Sequence, residues 1–183
     1  MESGLLADLR SQLNNPDNAD LVLTCTAGTR LFAASFMLRA RSPYFVKMLD
    51  SGMKESATRE IRIDASYEAV FAMLKFLYTD ELDVPPLVAV ELLVLSDMYF
   101  MSSLKAKAEG LVFDSVSPTT ALEFYGWAKE RGLKQLEKFT ADFIWRNIGQ
   151  VSRLPAFQEF VKGQTELFLE LCKELPEGAT IKL

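Results

Sequence analysis

The residues Leu31 to Glu55, LFAASFMLRARSPYFVKMLDSGMKE, contain the pattern that decides the fold. The stretch starts at the end of a predicted β-hairpin, continues as an apolar helical segment and begins a second helix at Ser42-Pro43. A serine oxygen can accept a hydrogen bond from a free N–H of a first helical turn, and proline there loses no backbone bond. Apolar residues then share one face of the second helix, so the sequence predicts that it packs against a core. These residues are Tyr44, Phe45, Met48 and Leu49.

This stretch resembles the BTB/POZ domain family. The segment Leu38 to Phe45, LRARSPYF, is similar to the family pattern Leu-x-Ala-x-Ser-x-Tyr/Phe-Phe. The segment Phe76 to Asp80, FLYTD, resembles the phrase that ends a later helix of the family. The family usually has a His-Lys/Arg pair where this chain has Ala34-Ser35. The resemblance is most specific from Asp20 to Ala108.

Patterns along the rest of the chain predict a few short strands and many helices. Alternating apolar residues predict strands at Asp20–Thr26, Thr29–Phe32 and Glu60–Asp64, and a short edge strand is expected at Glu81–Val84. Apolar residues at helical spacing, with caps, predict the helices. These lie at Ser3–Leu13, within Leu31–Ser51 (two helices), from Ser66 to about Tyr78, and at Pro86–Tyr99, Ser102–Phe113, Pro118–Arg131, Leu133–Ile148, Leu154–Phe160 and Thr165–Leu175.

The order of these elements predicts an α+β fold followed by an all-α part. The resemblance implies a BTB/POZ fold of short strands with helical hairpins, followed by an all-α BACK-like extension. We expect residues 1–17 to form an N-terminal amphipathic helix and dimerisation element. Residues 18–113 then form the BTB/POZ domain, and residues 114–183 form the BACK-like helical extension.

Composition excludes several classes of function. The chain has 183 residues, a net charge of −5 and no histidine. The acidic balance argues against binding to nucleic acid, which requires clustered lysine and arginine. We find no signal peptide and no apolar run long enough for a membrane span, and Cys25 and Cys172 form no motif, so we expect both thiols to be reduced. The sequence therefore favours a cytoplasmic or nuclear protein without a membrane partner.

The same residues give no support to catalysis. Without histidine, the commonest general base and a common zinc ligand are missing. We find no glycine-rich phosphate loop and no metal-spaced cluster, and we expect no cofactor, no metal and no enzymatic activity. An enzyme of unfamiliar type is the least favoured hypothesis.

The resemblance suggests a partner through the segment Met53-Lys54-Glu55. BTB domains that recruit the ubiquitin-ligase scaffold cullin-3 often have a hydrophobic-x-Glu motif between this helix and the following strand. An apolar side chain can enter a partner's pocket while a nearby carboxylate pairs with a donor at its rim. Met53 and Glu55 are therefore candidate cullin contacts, and the alternative is a plain surface loop.

Three aromatic residues are further candidates for the cullin surface. Tyr99 and Phe100 lie at a predicted corner between two helices, where the family has a tyrosine on the cullin-contacting side. Tyr125 lies in the helix pair Pro118 to Ile148, which resembles the 3-box extension that widens this surface in such adaptors. The alternative interpretation is that these rings are core residues, which is common for aromatics at helical spacing.

The resemblance also implies a two-fold dimer. The matching positions are Leu5, Leu6, Leu9, Phe36, Met37 and Arg39. Some transcriptional members of the family bind co-repressor peptides through the counterpart of Asp20 and a basic residue at the position of Ser35. Ser35 lacks that charge, so binding of a co-repressor peptide is a less favoured interpretation.

These observations favour a non-catalytic homodimeric adaptor that binds cullin-3 and recruits an unknown protein substrate to a ubiquitin-ligase complex. The alternative is a dimeric BTB scaffold in transcriptional or cytoskeletal assembly, without a ligase function.

Overall fold

The computed structural model describes residues 4–51 and 57–175, and its internal contacts divide the chain into two compact units. The first unit is Met1–Leu111 and the second is Val112–Leu183. The first combines a small sheet with helices, and the second is helical in its described part. The fold is thus the α+β class with a helical extension that the sequence predicts.

A three-stranded sheet lies in the first unit, with the order β2-β1-β3. Strands β1 (Leu21–Thr24) and β2 (Arg30–Ala33) are antiparallel, and Gly28 takes a positive φ of 80° in the turn that joins them. Strand β3 (Glu60–Arg62) lies parallel to β1 on its other side. One face of the sheet is buried, because alternate residues of each strand point into the core.

Helices surround this sheet. In chain order they are α1 (Leu5–Ser11), a 3₁₀ turn (Pro16–Asn18), α2 (Ser35–Arg41), α3 (Pro43–Asp50), α4 (Tyr67–Thr79), α5 (Pro86–Met98) and α6 (Ser102–Asp114). The predicted start of α3 is confirmed, since the Ser42 side chain accepts from Phe45 N–H and Pro43 occupies the first turn. Helix α4 is buried on most of its surface and forms the centre of the core. It ends at Asp80, which has a left-handed conformation.

The second unit is built on an antiparallel helix pair. Its helices are α7 (Ala121–Arg131), α8 (Lys134–Arg146), α9 (Ile148–Val151), α10 (Pro155–Gly163) and α11 (Thr165–Lys173). Gly132, with a φ of 67°, closes the tight turn between α7 and α8. Apolar residues of these helices form one core that includes Leu122, Tyr125, Ile144, Phe160 and Leu171.

One predicted element is wrong, and one predicted helix begins later than expected. Residues 81–84 form no strand and pair with none of the three strands of the sheet. The Arg10 guanidinium instead binds both oxygens of Glu81 at 2.6 Å. Helix α7 begins at Ala121 and not at Pro118. Thr120 Oγ1 accepts from Ser117 N–H and donates to the Ser115 carbonyl, both at 2.9 Å, so a side-chain-closed turn replaces the first helical turn.

Candidate interaction surfaces

The corner between α5 and α6 is tied to the start of α3 by one buried serine. Ser42 Oγ donates to the Tyr99 carbonyl at 2.5 Å and accepts from Phe45 N–H at 3.4 Å. A single hydroxyl therefore satisfies an orphan N–H of α3 and a carbonyl of the corner. The two elements keep a defined spacing for this reason.

Aromatic rings fill the space beside this link. The Tyr99 ring stacks on Phe45 with centroids 4.9 Å apart and meets the edge of Tyr44 at 5.2 Å. Tyr99 is only 4% exposed, and burial, together with Tyr44 and the charge of Asp64, raises its pKa to about 12. The ring is a core residue, which is the alternative that the sequence left open. This burial does not support a direct partner contact by Tyr99, and that contact stays a prediction from the sequence.

The neighbouring residue Phe100 has the opposite environment. It is 68% exposed and has a φ of 52°, a left-handed conformation that is uncommon for an aromatic residue. The turn is held by two backbone bonds, from Phe100 N–H to Asp97 and from Met101 N–H to Ser96. Met98 is also exposed. The corner thus exposes the apolar side chains of Met98 and Phe100, while the Tyr99 ring beneath them packs on Tyr44 and Phe45.

Met53 and Glu55, the two candidate cullin contacts of the predicted motif, lie outside the described residues. Helix α3 ends at Asp50, and the description resumes at residue 57. Their role stays a prediction from the sequence.

Some side chains at the predicted dimer positions are exposed, and others are buried within the chain. Leu5 and Leu6 on α1 and Phe36 on α2 are exposed, Phe36 by 63%. Leu9 is partly buried, since α1 packs against α4. Met37 is only 9% exposed and belongs to the core, because α2 turns this side chain inwards. This burial does not support a dimer contact by the Met37 side chain, and its place in the dimer interface stays a prediction from the resemblance.

Arg39 makes a bidentate contact within the chain. Its guanidinium donates to both carboxylate oxygens of Asp50, at 2.7 and 3.2 Å. The hydrogen bond from Arg39 lowers the pKa of Asp50, and the same contact raises the pKa of Arg39. Arg39 thus links the last turn of α2 to the last residue of α3.

The pair Ala34-Ser35 forms local contacts in place of the residues usual in the family. Asp20 accepts from both Ser35 N–H and Ser35 Oγ, each at 2.6 Å, and Ala34 N–H donates to the Tyr78 hydroxyl at 2.9 Å. Burial alone would raise the pKa of Asp20, but the bonds from Ser35 outweigh it and the pKa is lowered. Asp20 therefore caps the first turn of α2 and is already engaged.

In the second unit, Tyr125 is fully buried in the helical core. Within the described part of the chain its hydroxyl has no hydrogen-bond partner, and burial raises its pKa to about 12 against an opposing effect of Lys129. This burial does not support a direct cullin contact by Tyr125, and that contact stays a prediction from the sequence. Trp145 is also buried and donates to the Leu171 carbonyl at 3.0 Å, whereas Trp127 is partly exposed.

The second unit contains an ion network that the sequence patterns do not predict. Glu137 accepts from Lys129 and from Lys134, both at 2.9 Å, and Lys129 also contacts Glu170. Lys129 and Glu137 lie on different helices, so their separation along the chain has no helical period that would identify them as neighbours.

The described residues provide no recognisable metal or membrane feature. Among residues 4–51 and 57–175, no group of three or more histidine, cysteine, aspartate or glutamate side chains could hold a metal ion. The helices in these ranges are all too short or too polar to cross a lipid bilayer. Cys25 and Cys172 are free, and burial raises the pKa of both thiols.

Comparison with known proteins gives three similarities. A family model described as the BTB/POZ domain matches residues 9–114. A BTB/POZ domain-containing protein of Arabidopsis thaliana is 30% identical over 136 residues, which are 74% of this chain and 56% of that protein. The chain thus spans little more than half the length of this relative. The solved structure of the BTB domain of zebrafish PATZ1 is similar in fold, with a TM-score of 0.50 and 21% identity, over 60% of this chain and 89% of that one.

Proposed function

Because the chain belongs to the BTB/POZ family of protein-interaction domains, we propose that it is a non-catalytic homodimeric adaptor. In this proposal it binds the N-terminal domain of cullin-3 and brings a protein substrate to a ubiquitin-ligase complex. Its helical second unit would be the BACK-like part of the adaptor. The substrate is a protein whose identity the proposal leaves open.

The exposed Phe100 carries this proposal. A large apolar side chain in a left-handed conformation costs folding free energy, and such cost is often kept at a site of function. A partner that buries the ring offsets the cost and gains the apolar contact that dominates most interfaces. Ser42 ties this corner to α3, whose end leads into the segment with Met53 and Glu55.

The dimer is supported by the exposed residues Leu5, Leu6 and Phe36. They belong to α1 and α2, which both pack against α4. Arg10 anchors α1 through its ion pair with Glu81, so the exposure of Leu5 and Leu6 is compatible with a helix fixed to the domain. A self-complementary apolar surface is what a two-fold contact requires.

Calorimetric titration of the full chain with the cullin-3 N-terminal domain tests the adaptor function. We expect Phe100→Asp to weaken binding by at least tenfold, about 1.4 kcal/mol. Aspartate adopts the left-handed conformation more readily than phenylalanine, so this variant keeps its fold. The double variant Met53→Asp with Glu55→Ala tests the predicted motif in the same way.

Leu87→Asp is the matched control, because Leu87 is also exposed but lies in the first turn of α5, at the opposite end of this helix from the corner. It should bind like the wild type. If the folded wild-type chain gives no heat of binding, the adaptor proposal fails and the scaffold hypothesis replaces it. Equal weakening by Phe100→Asp and Leu87→Asp would remove the corner from the interface.

A further inference from the structure

A groove of about 800 Å³ lies in the second unit between α7, α10 and α11. We refer to it as the α7–α10 groove. Its apolar lining consists of Leu122, Trp127, Ala156, Phe160 and Leu167. Its volume is in the range of clefts that hold a ligand or several side chains of a peptide.

Small residues keep this groove open. Gly126 faces it from α7, and a Cβ atom placed there would meet Leu167 Cδ2 at 3.8 Å, an ordinary contact distance. Gly163 and Ala156 add little volume from α10. The Trp127 ring stands on edge against Phe124, with centroids 5.1 Å apart, and forms a fixed wall.

Carboxylates surround the apolar lining. Glu123 and Glu130 on α7 and Glu159 on α10 are exposed at its rim. Among the residues that the structure describes, no basic side chain pairs with Glu123 or Glu159, while Glu130 binds Arg131 at 2.8 Å. Glu166 and Glu170 line the adjoining end of the same surface.

The basic residues beside this rim are already neutralised. Lys129 binds Glu137 at 2.9 Å and Glu170 at 2.5 Å, and Lys134 binds the other oxygen of Glu137 at 2.9 Å. The groove therefore combines an apolar floor with a net negative rim. This combination complements a segment that has apolar residues on one face and lysine or arginine on its sides.

We propose that the α7–α10 groove binds a short basic amphipathic helix of a partner protein. Helices α7 and α10 are 11 and 9 residues long, so the groove walls extend about 14–16 Å, which matches about three helical turns of an occupant. The apolar face of the occupant contacts Trp127, Phe160 and Leu167, and its basic residues contact Glu123 and Glu159. This helix-in-groove binding requires no contact by Phe100. Its test is therefore separate from that of the cullin-3 proposal, although α7 belongs to the helix pair that the resemblance places on the cullin surface.

A synthetic peptide provides the probe. It has leucines at positions i, i+3, i+4 and i+7, lysines at most other positions, and blocked ends. Two comparison peptides have the same composition in scrambled order, or glutamate in place of lysine. Binding to the full chain is measured by calorimetry and by tryptophan emission, to which Trp127 in the groove and the buried Trp145 both contribute. We expect the amphipathic basic peptide to bind at least tenfold more tightly than either comparison peptide.

Charge reversal in the protein tests the rim. Glu123→Lys with Glu159→Lys should weaken the basic peptide at least tenfold and strengthen the acidic one, since both side chains are exposed and leave the fold unchanged. Asp114→Lys with Asp142→Lys makes the same change in net charge away from the lining and should leave binding unchanged. If both double variants weakened peptide binding to a similar extent, net charge alone would explain the effect, and the proposal would be overturned.

Filling the floor tests the groove itself. Gly126→Leu should abolish peptide binding, whereas Gly126→Ala, which adds one methyl at ordinary contact distance, should reduce it less than threefold. Equal affinity for the scrambled peptide, or unchanged binding by Gly126→Leu, would overturn the proposal.

Two other occupants would also overturn it. Removal of residues 176–183 could raise peptide affinity more than tenfold, which would make the chain's own end the occupant. Peptide binding that dissociates a dimer in light scattering would make a second copy the occupant.

Discussion

At Glu137 a single carboxylate is buried and yet keeps its charge. Burial alone raises its pKa, but the hydrogen bonds from Lys129 and Lys134 outweigh this and lower the pKa below the usual 4.5. The pKa of Glu174 shifts the other way: burial and the neighbouring Glu137 raise it. The buried charge of Glu137 is therefore tolerated because donors surround it.

We predict that Glu137→Gln destabilises the second unit by about 1–3 kcal/mol at pH 7, because it leaves two lysines without their shared partner. A carboxyl whose pKa is lowered by folding stabilises the folded state above its unfolded pKa, and this contribution is lost as pH falls through the folded value. The difference between wild type and variant should therefore shrink as pH falls below 4.5.

Urea unfolding followed by tryptophan emission measures this difference. Trp127 and Trp145 are the two tryptophans of the chain and both lie in the second unit, so the signal reports that unit. Glu130→Gln, at an exposed glutamate, should change stability by less than about 0.5 kcal/mol. A difference at Glu137 that stays constant from pH 7 to pH 3.5 would contradict the assigned pKa.

At the scale of one element, two glycines are associated with α7. One lies within the helix and the other follows its last residue, and they differ in whether a side chain is tolerated. Gly126 lies inside α7, where a Cβ atom makes an ordinary contact with Leu167. Gly132 follows the end of α7 with a φ of 67°, where L-residues are strained. The first position tolerates a side chain and the second does not.

We predict that Gly126→Ala stabilises the second unit by about 0.5–1 kcal/mol, because alanine loses less backbone entropy in a helix. Gly132→Ala should destabilise it by about 1 kcal/mol, because an L-residue is strained in the left-handed conformation that this turn requires. The same tryptophan-monitored unfolding compares the two variants. Destabilisation of similar size by both would show that α7 does not distinguish the two positions.

At the scale of the whole chain, exposed apolar side chains fall in both units. Leu5, Leu6 and Phe36 lie in the first unit, and Phe139 and Leu169 lie in the second. Only the first set combines two helices packed on α4, which gives the proposed two-fold surface a rigid support. The second set provides a control of similar chemistry.

We predict that Leu5→Asp with Phe36→Asp converts the proposed dimer into a monomer, because buried carboxylates in a two-fold contact repel their copies and lose hydration. Sedimentation velocity over a range of concentrations should show the mass fall by half. Phe139→Asp with Leu169→Asp should leave the mass unchanged. A dimer that survives the first pair of substitutions and dissociates with the second would place the interface in the second unit.

Local patterns in the sequence predicted most elements, because the forces that define them act over a few residues. Ser42-Pro43 predicted the start of α3, and alternation at Leu21 and Leu23 predicted the buried face of β1. The Glu81–Val84 strand failed because a strand needs a neighbour, and alternation alone does not supply one.

Exposure at the candidate sites was decided by the tertiary structure. Tyr99 and Phe100 are adjacent aromatics, yet a left-handed turn buries the first on Phe45 and exposes the second. Likewise Phe36 and Met37 are neighbours on α2 and face opposite environments. Composition, helical period and caps are local and can be read along the chain. Which side chain reaches a partner depends on contacts between residues far apart in sequence, and these exist only once the chain has folded.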